Sequence, residues 1–402
     1  MILNNLTYSQ CNGCNPSLEN CAEFIENPLD CNATDILLLQ DIIESYKSTI
    51  NIKLDYNNNN IIEPLELGYQ MWENGRLVEF ECFNSSVIKK EEESCSLKGN
   101  ISETFFMFDS LRYLSLRHQA LSGRIPDNLS NTKKLEILLL LDNKIQGDIP
   151  NEICDLESLR VLSLRENKLT GNIPECIGAL SNLEELKLFD NFLNGKIPEG
   201  ISKLKKLKFL SLKNNNLHGK IPSNLWELKD LESLYMQNNL LSGYIPKSIV
   251  SLKNLKTIDL SNNKLTGYLP NKIGNLDNLK KLDLAGNIID GRIPLSLYNL
   301  SNLIHLNLSG NRLGGGVSRR IKQLTDLEFI NLRNNDFYGE IPIDLFYLNK
   351  LSFIDLSNNR FHANYNFDEL DFNQYYYVNF RKNLSKINMD MDKLIKIHRN
   401  IN

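Results

Sequence analysis

Hydrophobic and polar positions in this chain repeat with a period of 24 residues. In one period, Leu162 and Leu164 alternate with polar residues as in a short strand, and Leu169 and Ile173 follow after a turn. Nine of the twelve prolines fall on the same grid, at Pro126, Pro150, Pro174, Pro198, Pro222, Pro246, Pro270, Pro294 and Pro342. This period predicts a solenoid, in which each coil buries its leucines against its neighbours.

Asparagine and glycine occupy two further fixed positions of the period. The asparagine, as at Asn167, follows the strand, and its amide can bond to backbone groups of its own and the neighbouring coil. The glycine, as at Gly171, marks a tight bend where a side chain would be costly. Inside the array the proline position fails only at Ser318, after glycines 314–316, so the sequence predicts one irregular coil there.

The turn after the strand has a narrower signature. Residues 169–174, Leu-Thr-Gly-Asn-Ile-Pro, recur at 265–270 as Leu-Thr-Gly-Tyr-Leu-Pro. This L-x-G-x-I-P element is similar to the plant-type leucine-rich repeat, and the match is close over residues 111–360. The resemblance implies an α/β solenoid: a right-handed leucine-rich-repeat superhelix with a parallel concave β-sheet, a second strand after the asparagine turn, and a helical, disulfide-rich N-terminal cap. It also implies recognition, as in receptor-like ectodomains or polygalacturonase-inhibiting proteins.

The pattern divides the chain into three parts: an N-terminal cysteine-containing cap (1–110), the solenoid of 24-residue repeats (111–360) and a C-terminal cap or tail (361–402). Apolar residues between Ile36 and Tyr46 follow helical spacing, with Asp35 as the predicted N-cap. Beyond Phe361 the repeat register is lost. Aromatic residues between Phe361 and Phe380 are predicted to cover the last coil.

Cysteine placement concerns the compartment. Six of the eight cysteines lie in the first hundred residues, and an even cluster outside the repeats indicates a disulfide framework. Zinc binding that starts from Cys11-x-x-Cys14 is the alternative. The connectivity of the first four cysteines (Cys11, Cys14, Cys21 and Cys31) stays open.

Two more cysteine pairs are candidates for bridges. Similarity of the segment around Trp72 to the end of the plant-type N-terminal cap implies that this tryptophan packs under the first coil and that Cys82 pairs with Cys95. Cys154 and Cys176 lie on adjacent coils, where a disulfide and two buried thiols are equally compatible with the spacing.

Sequons and chain ends also concern the compartment. Eight N-x-S/T triplets are consistent with a glycoprotein; they begin at Asn5, Asn32, Asn84, Asn100, Asn128, Asn299, Asn307 and Asn383. Neither the polar start nor the charged end has the character of a signal peptide or membrane span. An extracellular location therefore requires that a leader be missing from this sequence.

Charge and motifs exclude several functions. The net charge of −4 combines −10 over residues 1–100 with +6 over the remainder. This is far from the basic stripe expected of a nucleic-acid-binding protein. The five histidines are scattered and no nucleophile can be placed beside one, so neither an enzyme nor a cofactor is predicted.

One segment of the cap resembles a calcium-binding loop. Asp55, Asn57, Asn59 and Glu66 follow the D-x-N-x-N spacing with an acidic twelfth residue, although Asn60 takes the place of the usual glycine. The alternative is an asparagine-rich insertion between two cap helices.

The concave side of the strands carries the candidate binding residues. Positions between and just after the two strand leucines hold cations, leucines and aromatics in the first half of the array, a pattern that predicts a ligand-binding surface. The candidate residues are Arg117, Leu139, Leu141, Arg165, Lys187, Phe189, Lys213, Tyr235 and Gln237. From Thr257 on, the same columns hold mostly small or acidic residues, which need no ligand to explain them.

We therefore expect a non-enzymatic extracellular module that recognises a protein, a peptide or an acidic polysaccharide on the concave face. A secreted inhibitor of a cell-wall-degrading enzyme is the first alternative. An intracellular leucine-rich-repeat scaffold is the second.

Overall fold

A computed structural model describes residues 32–50, 61–62, 64–82, 95–363 and 377–380. The chain divides into two compact units, Met1–Leu207 and Lys208–Asn402, referred to as the N-terminal and C-terminal units. Each unit is built from coils, and each coil has a strand, a turn with a second short strand in most cases, and a 3-10 helix. The division into cap, solenoid and tail at residues 110 and 360 stays a prediction.

Helix α1 (Ala33–Tyr46) opens the N-terminal unit. Asn32 caps it, because its side chain accepts a hydrogen bond of 2.9 Å from the backbone N–H of Thr34. The prediction that Asp35 is the cap is wrong. Asp35 lies inside the first turn, fully buried, and its carboxylate accepts hydrogen bonds from the Arg76 guanidinium and the Leu77 N–H.

A β-hairpin follows, made of β1 (Tyr69–Glu73) and β2 (Arg76–Glu81). Trp72 on β1 is almost fully buried, and Cys82, just after β2, forms the expected disulfide with Cys95. Strand β2 then pairs in parallel with the first repeat strand, with Phe80 beside Leu114. The hairpin therefore covers the open end of the leucine core.

The remaining strands of the N-terminal unit form one long sheet and two short pairs. In chain order they are β3 (Lys98–Asn100), β4 (Tyr113–Ser115), β5 (Ala120–Ser122), β6 (Ile137–Leu139), β7 (Gln146–Asp148), β8 (Val161–Ser163), β9 (Lys168–Thr170) and β10 (Glu185–Lys187). Strands β4, β6, β8 and β10 extend the sheet of the hairpin in parallel, while β3 pairs with β5 and β7 with β9.

The C-terminal unit contains two parallel sheets. Its long sheet consists of β11 (Phe209–Ser211), β13 (Ser233–Tyr235), β15 (Thr257–Asp259), β17 (Lys281–Asp283), β19 (His305–Asn307), β21 (Phe329–Asn331), β23 (Phe353–Asp355) and β25 (Tyr377–Asn379). Its second sheet consists of β12 (His218–Lys220), β14 (Leu240–Tyr244), β16 (Lys264–Tyr268), β18 (Ile288–Arg292), β20 (Arg312–Gly315), β22 (Asp336–Glu340) and β24 (Arg360–His362). The second strand that the resemblance implied is thus present.

Short 3-10 helices complete the coils. In the N-terminal unit they are Pro64–Glu66, Glu103–Phe106, Asp127–Asn131, Asn151–Asp155, Glu175–Ala179 and Glu199–Lys203. In the C-terminal unit they are Ser223–Glu227, Lys247–Ser251, Ile273–Asn275, Leu295–Asn299, Arg319–Gln323 and Ile343–Tyr347. A proline precedes most of them, at a position where no backbone donor is needed.

The asparagine of each coil does what the sequence predicted. Asn239 accepts a hydrogen bond of 3.0 Å from the Leu217 N–H and donates to the carbonyl oxygens of Leu212 and Met236, at 2.9 and 3.1 Å. The side chain is buried, so these bonds satisfy backbone groups that water cannot reach. The same set recurs at Asn167 and Asn263.

The glycine of each coil has two roles. Gly123, Gly171 and Gly291 have φ values of +71°, +68° and +87°, which L side chains rarely adopt. Each of these three glycines also forms a floor beneath a side chain of the preceding coil, which is Asn100, Asp148 or Tyr268. A Cβ on Gly171 would lie 2.4 Å from Oδ1 of Asp148, so the bend and the close approach both require glycine.

The coil without proline is regular, contrary to the prediction of an irregular coil at Ser318. Strand β20 pairs with β18 and β22, and Ser318 caps the 3-10 helix Arg319–Gln323 through its hydroxyl. With no proline ring, its N–H is available and donates to the hydroxyl of buried Tyr298 at 3.1 Å.

The repeat register also returns after the last coil of the pattern. Strand β25 pairs with β23 in the regular register, with Val378 beside Ile354. Phe380 is 2% exposed and packs edge-on against Phe346. The prediction that the register ends beyond Phe361 is wrong, because residues 377–380 again stand one 24-residue period after 353–356. Five aromatics of the predicted cap lie outside the described residues: Tyr365, Phe367, Phe372, Tyr375 and Tyr376.

Candidate functional site

The sheet face is the side of each long sheet that points away from the leucine core. In the N-terminal unit it carries Arg117, Leu139, Leu141, Arg165, Lys187 and Phe189 among the candidate residues. Strand register places Ser115, Leu139, Ser163 and Lys187 side by side on β4, β6, β8 and β10. Because paired strands lie about 4.8 Å apart, these side chains form one continuous row.

The cations of this face have acidic neighbours. Arg117 forms an ion pair of 2.7 Å with Glu81 on the hairpin. Arg165 pairs with Glu166, and Lys187 pairs with Glu185 on its own strand. Three of the predicted cations are therefore largely neutralised, and the face is mixed in charge. Sequence columns read separately did not reveal this, since the carboxylates come from other columns.

Arg165 also packs over an aromatic ring. Its guanidinium carbon lies 5.3 Å from the ring centroid of Phe189 on the neighbouring coil, a cation–π geometry. The Arg165 side chain is half-buried. The ion pair with Glu166 and the ring together fix the orientation of the guanidinium, which is a rigid edge on this face.

Two small features lie beside this edge. Among the described residues, the Ser163 hydroxyl has no hydrogen-bond partner, although the side chain is buried in the row between Leu139 and Lys187. Leu141, predicted to be exposed, is only 6% exposed. It stands between the equivalent positions Arg117 and Arg165, and the long aliphatic stems of arginines shield apolar neighbours.

The C-terminal unit carries the other three candidates, Lys213, Tyr235 and Gln237. The Tyr235 ring lies 5.5 Å from that of Phe209 on the adjacent strand, at a tilted angle. The side-chain oxygen of Gln237 is buried and has no hydrogen-bond partner among the described residues. These residues form the start of the sheet face of this unit.

Acidic residues further along the C-terminal unit support their own strands. Asp259 accepts hydrogen bonds from the Ser261 hydroxyl and N–H, and its second oxygen pairs with Lys281 at 2.7 Å. Asp355 accepts from the hydroxyl and N–H of Ser357 in the same way. Both aspartates therefore hold the strand ends of their own unit, and the expectation that their columns need no ligand stays a prediction.

A row of stacked rings on the C-terminal unit was missed from the sequence. His305, Phe329, Phe353 and Tyr377 lie on adjacent strands, with successive centroid distances of 4.1, 4.2 and 4.4 Å and nearly parallel planes. They occupy the first position of each strand, just before the first strand leucine. The signal that could have found them is the 24-residue spacing of these four residues in the sequence.

Family comparisons agree with this architecture. One model described as "Leucine rich repeat" matches residues 229–289. A second model with the same description matches residues 158–180, 182–204, 206–228 and 302–324. The chain is a leucine-rich-repeat protein. Repeats of this family generally serve as non-catalytic binding modules.

Several solved structures share the fold. The plant peptide hormone receptor RGFR1, in complex with RGF2, is 36% identical with a TM-score of 0.68, over 71% of this chain and 46% of that one. The Arabidopsis receptor kinase HAESA, in complex with the peptide hormone IDA and the co-receptor SERK1, is 33% identical with a TM-score of 0.61, over 67% of this chain and 49% of that one.

A bacterial structure matches over more of its length. The Leptospira interrogans LRR protein LIC12759 is 27% identical with a TM-score of 0.61, and the match covers 91% of this chain and 82% of that one. By contrast, the leucine-rich-repeat chain spans about half the length of the two plant receptors. No curated protein matches its sequence. The fold therefore resembles that of receptor ectodomains that were solved with peptide hormones. This similarity does not identify a ligand for this protein.

Potential metal ligands in the described part of the chain are scattered. Within the described ranges, no three His, Cys, Asp or Glu side chains are grouped in a way that would hold a metal ion. Asp55, Asn57 and Asn59 of the predicted calcium loop lie outside these ranges, and Glu66 ends the 3-10 helix Pro64–Glu66. The calcium loop stays a prediction.

Two disulfides lie in the described part of the leucine-rich-repeat chain. Besides Cys82–Cys95, a second disulfide joins Cys154 and Cys176 on adjacent coils, which decides between the two possibilities left open for that pair. Cys11, Cys14, Cys21 and Cys31 lie outside the described residues. In the described part, the helices are too short or too polar to cross a membrane.

Proposed function

We propose that this protein is a non-enzymatic extracellular recognition module that binds a peptide on the sheet face of its N-terminal unit. The observation that carries the proposal is the Arg165–Phe189 pair, in which a cation and an aromatic ring on neighbouring coils hold each other in place beside the row that ends at Ser163 and Lys187. Arginines and aromatic residues are the side chains that most often dominate binding energy. RGFR1 and HAESA, which share the fold, were solved with peptide hormones.

The ion pairs favour a peptide over a long acidic polymer on this face. Arg117, Arg165 and Lys187 each have a carboxylate nearby, so a polyanion would meet Glu81, Glu166 and Glu185 as well as the cations. Like charges placed together cost affinity. A peptide that offers one carboxylate to Arg165 and an apolar side chain to Phe189 avoids this cost.

The disulfides support the extracellular location. Cys82–Cys95 and Cys154–Cys176 are bonds of the kind that persist in oxidising compartments and are rare in the cytosol. They weigh against the intracellular scaffold.

Binding is tested with a peptide selected from a random display library against the wild-type protein. Titration calorimetry with that peptide then compares the wild type with Phe189→Ala and Arg165→Gln. We expect a loss of affinity of about tenfold or more for each variant, since each removes an anchor. Lys196→Gln is the control, because this exposed lysine lies on the second turn of its coil, away from the sheet face.

The same titration examines the C-terminal unit separately through Tyr235→Ala. Equal affinities for the wild type, Phe189→Ala and Arg165→Gln would overturn the proposed site. A loss confined to Tyr235→Ala would move the peptide site to the other unit.

A further inference from the structure

A second exposed surface lies on the second sheet of the C-terminal unit. Lys220, Tyr244, Tyr268 and Arg292 end strands β12, β14, β16 and β18, each at the position directly after the coil's glycine. We call this row the tyrosine stripe. It is separate from the sheet face, because it lies on the other sheet of that unit.

The glycine floor orients every side chain of the tyrosine stripe. The Tyr268 ring lies over Gly291, with Cδ1 2.5 Å and Cε1 3.1 Å from the point where a Cβ would stand. The stems of Lys220 and Arg292 lie in the same way against Gly243 and Gly315, and Cβ of Tyr244 lies 3.2 Å from the equivalent point on Gly267.

Both tyrosines are far more exposed than aromatic residues usually are. Tyr244 is 65% exposed and Tyr268 is 69% exposed. Since the Tyr268 ring rests on the backbone of the next coil, its other face is turned to solvent. Large apolar groups held open in this way mark an interaction site.

Cations surround the two rings. Lys220, Lys264, Arg292 and Arg312 are all exposed, and none of the four has an acidic partner within the described residues. Asp290 lies in register between Tyr268 on one neighbouring strand and Arg312 on the other. It is the one carboxylate among the residues of β12, β14, β16 and β18 and Arg312 at the start of β20. The neighbourhood of the tyrosine stripe is therefore positive, unlike the sheet face of the N-terminal unit.

We infer that the tyrosine stripe binds a segment of an acidic polysaccharide whose sugars carry carboxylates. Sugar rings present flat C–H faces that pack on exposed aromatic rings, while lysine and arginine at the ends meet carboxylates. The side chains of the tyrosine stripe lie in a line across successive coils that are about 4.8 Å apart, with a cation at each end and the two rings between them. A linear polymer can follow such a line, whereas a stable protein interface buries about 800 Å² on each partner, much more than a single row offers.

Affinity electrophoresis through gels that contain sodium polygalacturonate provides the test. We expect retardation of the wild type, a loss of affinity of about tenfold in Tyr244→Ala/Tyr268→Ala, and a larger loss in Lys220→Glu/Arg292→Glu. Retardation should weaken as salt rises, since the cations are exposed. Fully methyl-esterified polygalacturonate, which lacks the negative charges, should not retard the protein.

Two controls separate the tyrosine stripe from other surfaces. Tyr347→Ala removes an equally exposed tyrosine, 65% exposed, from a 3-10 helix outside the stripe and should bind like the wild type. Phe189→Ala should also bind like the wild type, so failure of the peptide site and failure of this inference are distinguishable.

Several outcomes would overturn the inference. The inference fails if the wild type is not retarded, or if Tyr244→Ala/Tyr268→Ala binds polygalacturonate as strongly as the wild type. It also fails if dextran sulfate binds the wild type as strongly as polygalacturonate does and the double tyrosine variant binds dextran sulfate equally well. A change in oligomeric state on mutating Tyr244 and Tyr268, without polygalacturonate binding, would assign the surface to a protein contact instead.

Discussion

Buried asparagine side chains carry the turns of this protein. Each side-chain amide hydrogen-bonds to several backbone groups at once, so its loss leaves more than one buried polar group without a partner. The sequence predicted this role because the column repeats at one position per coil.

The first prediction concerns one such amide. Asn239→Ala leaves the Leu217 N–H and the carbonyls of Leu212 and Met236 without their partner, and we expect a loss of about 3 kcal/mol in unfolding free energy. Denaturant unfolding followed by circular dichroism measures it. Asn224→Ala, at an exposed 3-10 position of the same unit, should change stability by less than about 0.5 kcal/mol. Similar losses in both variants would contradict the assigned role.

The residue before each asparagine was not predicted. It adopts the left-handed conformation, with φ from 52° to 57° at Asp142, Glu166, Asp190, Asn214, Asn238, Asn262, Asn334 and Asn358, and glycine takes the position at Gly286 and Gly310. Asparagine and aspartate are enriched in this conformation, but glutamate, as at Glu166, is not. Residue types therefore vary too much in this column for the sequence alone to indicate a fixed backbone angle.

The second prediction concerns buried Tyr46. Burial raises the pKa of Tyr46 to about 12, and the hydroxyl donates to the Asn100 carbonyl and accepts from the Ser102 N–H. The unfolded chain ionises near pH 10, so the folded state holds the proton between about pH 10 and 12, and stability is lost as pH rises through that window.

Denaturant unfolding at about pH 9 and about pH 11 tests this sign. The wild type should lose stability between the two, and Tyr46→Phe should lose less. The slope of the variant should not vanish, because burial also raises the pKa of Tyr298. Identical slopes for both proteins would show that Tyr46 does not hold its proton.

At the scale of elements, the 24-residue period predicted the strands and turns because each depends on local pattern. The hairpin β1–β2 lies outside this period, and its Asn74-Gly75 turn, with φ values of 51° and 75°, is the local signal that could have predicted it. The candidate site was predicted only in part, because the hairpin contributes to it. Arg117 and Phe189 could be placed on a face, but the pairing of Arg117 with Glu81 requires the hairpin.

The third prediction concerns the glycine floor. Gly291→Ala puts a Cβ against the Tyr268 ring, whereas Gly99→Ala meets nothing within 4 Å at a comparable positive φ of +107°. Both variants carry backbone strain of about 1–2 kcal/mol, and only the first must also displace a ring. Thermal unfolding should therefore show a larger loss for Gly291→Ala. Equal losses would mean that conformation alone requires the glycine.

At the scale of the molecule, each coil is stabilised by its contacts with the neighbouring coils. A covalent link between two coils therefore affects the stability of the whole stack and not only of the two residues that it joins. Cys154 and Cys176 join two successive coils across 22 residues. The sequence left this pair undecided, since adjacent coils bring the two positions together whether or not the sulfurs bond.

The fourth prediction concerns that disulfide. Cys154→Ser/Cys176→Ser should lower the unfolding free energy by about 3 kcal/mol, because the bridge restricts the unfolded chain. Peptide mass mapping without reduction should recover the Cys154–Cys176 pair from protein secreted by a eukaryotic host. Under reductant the wild type and the variant should unfold alike, because neither then has the Cys154–Cys176 bridge and both lose Cys82–Cys95. Free thiols at both positions would contradict the bridge and weaken the extracellular assignment.

The glycine floor has a consequence for how this surface can change over evolutionary time. Because the side chains of the tyrosine stripe each lie against a glycine of the following coil, loss of a whole coil places the remaining side chain against the glycine of the next coil. Deletion of residues 245–268 would place Tyr244 where Tyr268 now rests, on Gly291, and shorten the row by one ring. Unequal recombination between repeats can thus lengthen or trim a binding row one coil at a time, while the scaffold beneath it stays intact.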